Sequence, residues 1–172
     1  MFKIDIHTHI LPENLNEITD TFSDSRFLRF DYIDSKSGKL QKDGLSFRQI
    51  SCNCWDLSVR KTDCDKTNVD IQVLSTLPVL FSYWAQDDES LILARFLNDH
   101  IYNCAIKEPN RFIGLGTIPM QNTNMAIEEM DRCINTLNFP GIEIGTNVNG
   151  KNLSNPEFFP IFNSGETNCC SW

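Results

Sequence analysis

The amino-terminal stretch Lys3-Ile4-Asp5-Ile6-His7-Thr8-His9-Ile10 alternates apolar and polar side chains, and the turn signal Leu11-Pro12-Glu13-Asn14 follows it. The alternation predicts a β-strand with Phe2, Ile4 and Ile6 on one face and His7 and His9 on the other. Residues two apart along a strand are separated by about 6.6 Å at Cα. Both imidazoles can therefore converge on one metal ion at about 2.0–2.1 Å.

An ordinary polar strand face is the alternative for such a His-X-His pair. The position of the His-X-His pair favours metal binding, because the pair ends an apolar strand. Active sites of parallel barrels lie at the carboxyl ends of strands. Asp5 shares the predicted face, but we do not expect it to be a metal ligand because it lies too far back along the strand from His9. His100 falls inside a predicted helix beside Asp99, and we expect it at the surface.

Composition is typical of one globular domain, with 172 residues, 41 % hydrophobic and 22 % charged. The net charge of −8, from 23 acidic and 15 basic residues, argues against a nucleic-acid partner, because phosphate binding needs a basic face. No apolar run approaches the roughly 20 residues of a membrane span, and the first residues lack a signal-peptide core. We expect a cytosolic protein with no membrane partner.

The seven cysteines show no repeated spacing, and Cys52-Asn53-Cys54 is one residue short of a zinc knuckle. Reduced thiols are the expectation for a chain with no export signal. Cys104 and Cys133 fall on apolar stripes of predicted helices, where a thiol behaves as a small hydrophobe.

A polar segment, about residues 13–56, follows the first strand and lacks a helical period. Short strands are predicted over 27–33 and 45–50, with turns at Ser37-Gly38 and Lys42-Asp43-Gly44. We interpret the segment as a small β insertion. Since loops after barrel strands carry binding groups, it would cover the histidine pair like a lid.

Strands and helical stretches then alternate, which indicates βαβ units and a parallel sheet. Asp56 and Asn68 bound the first helix, Asp87 or Asp88 caps the second, and Asn122 or Thr123 caps the third. The predicted elements are a helix over 57–68, a strand over 69–75, a helix up to 108, a strand over 112–117, a helix up to 137 and a strand over 142–145.

The fold class is therefore α/β, and four strand–helix units correspond to the amino-terminal half of a (β/α)8 TIM barrel, which needs about 250 residues. We assign residues 1–162 to this partial barrel and 163–172 to a divergent tail. A helix starts near Pro156, and the tail, which has no apolar period, should end it at once. We expect a truncated product.

Four segments carry a resemblance to a known family: Asn53-Cys54-Trp55-Asp56, and the stretches 74–85, which contains Phe81-Ser82-Tyr83-Trp84, 111–121 and 139–146. Together with the opening strand they resemble the amino-terminal half of the metal-dependent decarboxylases of the amidohydrolase superfamily. The resemblance implies Zn²⁺ bound by His7 and His9. It also implies a third histidine, an aspartate and a histidine acid/base in later segments that this chain lacks, so no catalytic residue is assigned and the zinc site is incomplete.

The resemblance also implies a substrate site. Arg48, beside Phe47, matches a position that binds the substrate carboxylate, a task suited to the planar guanidinium donors, and Lys42 matches a second basic residue there. Trp84 is expected either to line the pocket or to be plain core. Asn147 stands where close relatives carry a histidine.

The implied reaction is loss of carbon dioxide from a small dicarboxylate semialdehyde of the kynurenine pathway of tryptophan catabolism, with the metal as Lewis acid. This step diverts material from quinolinate. One alternative is a catalytically inactive truncated isoform that pairs with the full-length chain, because family members form homodimers. The other alternative is a metal-dependent hydrolase of the same superfamily, which the Phe81–Trp84 match disfavours.

Overall fold

The computed structural model describes residues 1–169, with side chains up to Glu166. Strands and helices alternate through much of the chain, which confirms the predicted mixed α/β class. In chain order the elements are β1 (Ile4–His9), α1 (Leu15–Thr19), β2 (Arg29–Asp34), β3 (Ser37–Lys42), β4 (Leu45–Ser51), α2 (Leu57–Thr67), β5 (Ile71–Ser75), α3 (Asp87–Lys107), β6 (Phe112–Gly114), α4 (Thr123–Asp131), β7 (Asn147–Val148), β8 (Lys151–Asn152) and α5 (Phe159–Cys169).

The central sheet is parallel and has the order β1-β5-β6. The strand predicted over 142–145 is reduced to one parallel bridge between Gly116 and Ile142. Two backbone bonds flank that bridge, from Gly116 N to Gly141 O at 3.1 Å and from Glu143 N to Gly116 O at 2.8 Å. The carboxyl ends of β1, β5 and the 142–145 segment therefore point the same way, as parallel connectivity requires.

Helix boundaries follow the predicted caps, with one exception. The Asp56 side chain accepts from the amides of Ser58 and Val59, and Asn122 accepts from Met125 N. Asn68 ends α2 in the left-handed region at φ 55°. The N-cap of α3 is Gln86 and makes no side-chain bond. The predicted caps Asp87 and Asp88 lie instead in the first turn, where the helix dipole favours carboxylates.

The segment after β1 folds as an antiparallel sheet of β2, β3 and β4. Asp43 and Gly44, at φ 54° and 70°, form the two-residue turn between β3 and β4. The turn predicted at Ser37-Gly38 is wrong, because both residues belong to β3. A Cβ on Gly38 would lie 2.2 Å from the Phe30 ring, so this glycine serves close packing rather than a turn. The short helix α1 was not predicted.

The predicted end of the last helix is also wrong, since α5 runs to Cys169. Ile161 is 2 % exposed and packs in a cluster with Met130 and Met120. This packing against α4 stabilises a helix that the sequence period alone does not support. The side chains of Cys169 and Cys170 lie outside the described part of the chain, so reduced thiols stay a prediction for these two cysteines.

The predicted burial of Cys104 and Cys133 is confirmed, and the five cysteines whose side chains are described are all free thiols. Within residues 1–169, no helix is both long and apolar enough to cross a bilayer. The predicted apolar face of β1 is largely exposed, with Phe2 at 67 %, Ile4 at 49 % and Ile6 at 74 %. In the described part of the chain, β1 pairs with β5 alone, so its other edge is open.

Candidate metal centre

Three side chains at the carboxyl edge of the parallel sheet can hold a metal ion. His7 and His9 come from β1 and Glu143 from the 142–145 segment, and their candidate ligand atoms lie within 4.8 Å of one another. The two imidazole centroids are 4.8 Å apart, with the rings nearly perpendicular. The predicted convergence of the histidines is therefore present in the structure.

Glu143 was missed as a ligand in the sequence analysis. The signal was available, because an acidic residue stands between Ile142 and Ile144 at the end of a predicted buried strand. Residue 143 was predicted only as part of the strand over 142–145. The pairing of 142–145 with Gly116 brings Glu143 next to β1.

The Glu143 carboxylate supplies the test of fit. Its Oε2 is buried and has no hydrogen-bond partner. A buried carboxylate oxygen without a partner is costly, and coordination of a cation is one way to satisfy it. Two imidazoles and a carboxylate form a common ligand set of catalytic zinc and of other divalent ions, and they leave positions open for water or substrate. These residues fit a divalent metal.

Buried contacts fix the end of β1. Arg60 of α2 donates from Nη2 to His9 O at 2.6 Å and from Nη1 to the Gln72 side chain at 3.2 Å. Arg60 is 8 % exposed, and burial lowers the pKa of its guanidinium. Asp5 accepts from Gln72 Nε2 at 3.2 Å, and it is not one of the three clustered residues.

A cleft of about 580 Å³ opens beside the cluster. His7 and Glu143 line it, together with Lys42 from β3 and Trp84 from the loop after β5. In the described part of the chain, Lys42 makes no ion pair. The cleft thus combines candidate ligands, an unpaired cation and aromatic walls, a combination that suits a small anionic organic molecule.

The other two predicted substrate residues are placed differently. Arg48 and Phe47 lie on β4, and both are exposed. Neither belongs to the set of residues that line the cleft. The structure therefore brings Lys42 and Trp84 to the cleft with His7, and it leaves Arg48 and Phe47 outside.

Trp84 both lines the cleft and packs against the insertion. The Arg26 guanidinium lies 4.0 Å above the Trp84 ring, and the Phe27 ring centroid is 4.8 Å away. Arg26 is held in turn by Asp24, and its hydrogen bonds lower the pKa of that carboxyl to about 2. Trp84 thereby joins the insertion to the loop that forms one wall of the cleft.

The neighbouring Ser82 and Tyr83 shape the same wall. Ser82 is 5 % exposed and adopts φ 47°, a conformation that serine rarely takes and that concentrates at functional sites. The Tyr83 hydroxyl accepts from Gly145 N at 3.0 Å, and burial raises the pKa of Tyr83 to about 12, so the phenol stays protonated. Tyr83 thus fixes the segment that carries Glu143.

His100 is half-buried, so the expectation of a surface residue holds only in part. Its Nε2 lies 3.7 Å from Cys104 Sγ. His100 is one helical turn before the buried Cys104, on the flank of the buried stripe of α3. Burial lowers the pKa of His100 to about 4, so the imidazole is neutral near pH 7.

Comparisons with known proteins place the chain in a family. The Amidohydrolase family profile matches residues 4–164. A 2-amino-3-carboxymuconate-6-semialdehyde decarboxylase of Dictyostelium discoideum is 49 % identical over 164 residues, which are 95 % of this chain and 46 % of that protein. One of the same name from Caenorhabditis elegans is 34 % identical over an alignment of 185 positions, which covers 96 % of this chain and 46 % of that protein.

Among solved structures, 5-carboxyvanillate decarboxylase of Novosphingobium aromaticivorans, complexed with manganese, aligns with a TM-score of 0.75 and 22 % identity. The alignment covers 98 % of this chain and 48 % of that one, and it shows the shared fold. This chain spans about half the length of the curated relatives that it matches. The resemblance found in the sequence is confirmed, and the chain belongs to the amidohydrolase family.

Proposed function

We propose that this chain carries metal-binding and substrate-facing groups of a metal-dependent decarboxylase that acts on 2-amino-3-carboxymuconate 6-semialdehyde in tryptophan catabolism. The observation that carries the proposal is the His7, His9 and Glu143 cluster opening into a cleft that also holds Lys42. The substrate comes from the names of the relatives that are 49 % and 34 % identical.

The proposed metal is zinc, held by His7, His9 and Glu143. Manganese is the competing ion, because the related 5-carboxyvanillate decarboxylase was crystallised with it. A bound divalent cation supplies a Lewis acid and lowers the pKa of coordinated water. The cluster offers three protein ligands, the number that a catalytic zinc takes beside its open position.

The residues around the cluster have separate tasks in this proposal. The Lys42 ammonium attracts a substrate carboxylate, and the Trp84 and Tyr83 walls exclude water from the conjugated chain of the substrate. In the net reaction the bond from carbon to one carboxylate breaks, carbon dioxide leaves, and a proton takes its place on that carbon. We propose Arg48, which the resemblance matches to a carboxylate-binding position, as a second basic group for the substrate.

We also propose the finer architecture expected from the sequence. Residues 1–162 would form part of a (β/α)8 barrel, with the insertion at about 13–56 acting as a lid. Three parallel strands, a fourth bridging position and an antiparallel sheet between β1 and α2 in the chain support this proposal. The ring contact between Phe27 and Trp84 supports the proposed lid, because Trp84 lines the cleft.

An absorbance assay with 2-amino-3-carboxymuconate 6-semialdehyde tests the activity, using the chain loaded with zinc or with manganese. We expect a metal-dependent loss of substrate absorbance that His7→Gln abolishes. Glu166→Gln serves as the matched control, because this exposed glutamate lies outside the cluster. Metal binding without turnover would refute the proposed activity and leave the metal site standing.

A second candidate function is favoured by one observation, the open and apolar edge of β1 with Ile4 and Ile6 exposed. We propose it as a non-catalytic role, in which this edge pairs with a second copy of the chain or with a longer form of it. Unpaired strand edges favour such association. Co-purification with a tagged full-length relative, lost in Ile6→Lys, would support this role.

A further inference from the structure

Ser75 lies directly opposite the second histidine of the cluster. It is the last residue of β5, its register partner in β1 is His9, and it is 4 % exposed. Ser75 Oγ lies 3.1 Å from His9 Nδ1 and also 3.1 Å from the carbonyl oxygen of Thr8. Its hydroxyl therefore contacts both the backbone and the ring of the same strand end.

The chemistry of the hydroxyl limits the direction of these two bonds. A serine hydroxyl has one proton to donate and two lone pairs. The carbonyl oxygen of Thr8 can only accept, and a Ser75 proton directed to it leaves a lone pair of Ser75 Oγ facing His9 Nδ1. That lone pair accepts from the neutral imidazole when the ring proton sits on Nδ1.

We infer that Ser75 is a positioning residue that holds His9 in the Nδ1–H tautomer and leaves the Nε2 lone pair free for the metal. This inference rests on the proposed metal site. Histidine ligands generally donate their other ring N–H to a fixed acceptor, which sets both the tautomer and the ring orientation. Here a buried serine takes that place, and Arg60 holds the His9 carbonyl independently of it.

The tautomer can be measured without metal. The chain has only three histidines, so His7→Gln and His100→Gln assign the ring nitrogens in a long-range ¹H–¹⁵N spectrum. In the metal-free protein we expect His9 to carry its proton on Nδ1. In Ser75→Ala the proton should shift toward Nε2, the position that imidazole prefers in water, and Ser75→Thr should restore Nδ1–H because it keeps the hydroxyl.

Zinc affinity, measured by competition with a chromogenic chelator, gives the second readout. Ser75→Ala should weaken binding by about 10- to 100-fold, the usual effect of losing such a partner, and Ser75→Thr should recover most of it. Ser90→Ala is the matched control, because Ser90 is a buried serine in the first turn of α3, outside the cluster.

Two outcomes would overturn the inference. One is a wild-type His9 with its proton on Nε2, and the other is an unchanged tautomer and zinc affinity in Ser75→Ala. A wild-type chain with His9 protonated on Nδ1 that fails to bind zinc would instead contradict the proposed metal site. The failure of the tautomer assignment and that of the proposed function are therefore distinguishable.

Discussion

At the scale of single residues, the cluster shows what a sequence pattern can and cannot predict. His7 and His9 were predictable, because ligands two apart on a strand share a face by geometry. For Glu143 one signal was available, an acidic residue between two isoleucines, but its approach to β1 depends on a bridge that joins residues far apart in the chain. Lys42 was chosen from the resemblance, and the structure places it in the cleft.

His100 allows a prediction about pH. Partial burial lowers the pKa of this ring to about 4, below the ordinary 6.5, so the unfolded chain binds more protons between these values. The contribution of neutral His100 to the free energy of unfolding should therefore be complete above pH 6.5. It should be lost as the pH drops toward 4. Replacing His100 by Met should remove up to about 3 kcal/mol of this loss.

Urea denaturation of both proteins at several pH values between 4.5 and 7.5 measures the effect. The wild type should lose stability with falling pH more steeply than His100→Met. Parallel curves for the two proteins would contradict the assignment of this pH dependence to His100.

At the scale of elements, local chemistry predicted boundaries well and long-range packing poorly. The caps Asp56, Asn68 and Asn122 lie where the sequence placed them, because capping involves neighbouring backbone groups. The strand β3 was missed, since Gly38 packs against Phe30 and is not part of a turn. The length of α5 was missed because its support comes from α4.

Gly114 in β6 provides a prediction at this scale. A Cβ at this position would lie 2.4 Å from the Phe139 ring and 2.8 Å from Ile101 Cγ2. Gly114→Ala should therefore lower the free energy of unfolding by about 1–3 kcal/mol through overpacking. Gly141→Ala is the control, because its Cβ would meet Leu115 at an ordinary 3.5 Å. Equal denaturation midpoints for the two variants would contradict this packing argument.

At the scale of the whole molecule, the central sheet has one open and apolar side. Three large apolar side chains at and just before the start of β1 are exposed, namely Phe2, Ile4 and Ile6. The described part of the chain offers no strand to cover that edge. Exposed apolar edges of this kind associate with other strands. The chain should therefore form dimers or larger species in solution.

Light scattering after size exclusion tests this association. Ile6→Lys places a charge at the open edge and should shift the chain toward the monomer mass of 19.7 kDa. Ile106→Lys is the matched control, since Ile106 is also an exposed isoleucine, 53 % accessible, but belongs to α3 and not to β1. A monomeric wild type, or the same loss of association in both variants, would contradict this role for β1.

Metal binding tests the central claim most directly. Elemental analysis and chelator competition should find about one zinc or manganese ion per wild-type chain. His7→Gln, His9→Gln and Glu143→Gln should each weaken binding by more than the roughly 10- to 100-fold typical of changes around a ligand, while Glu166→Gln should not. A wild-type chain that binds no divalent metal, or equal binding by the cluster variants, would contradict the account.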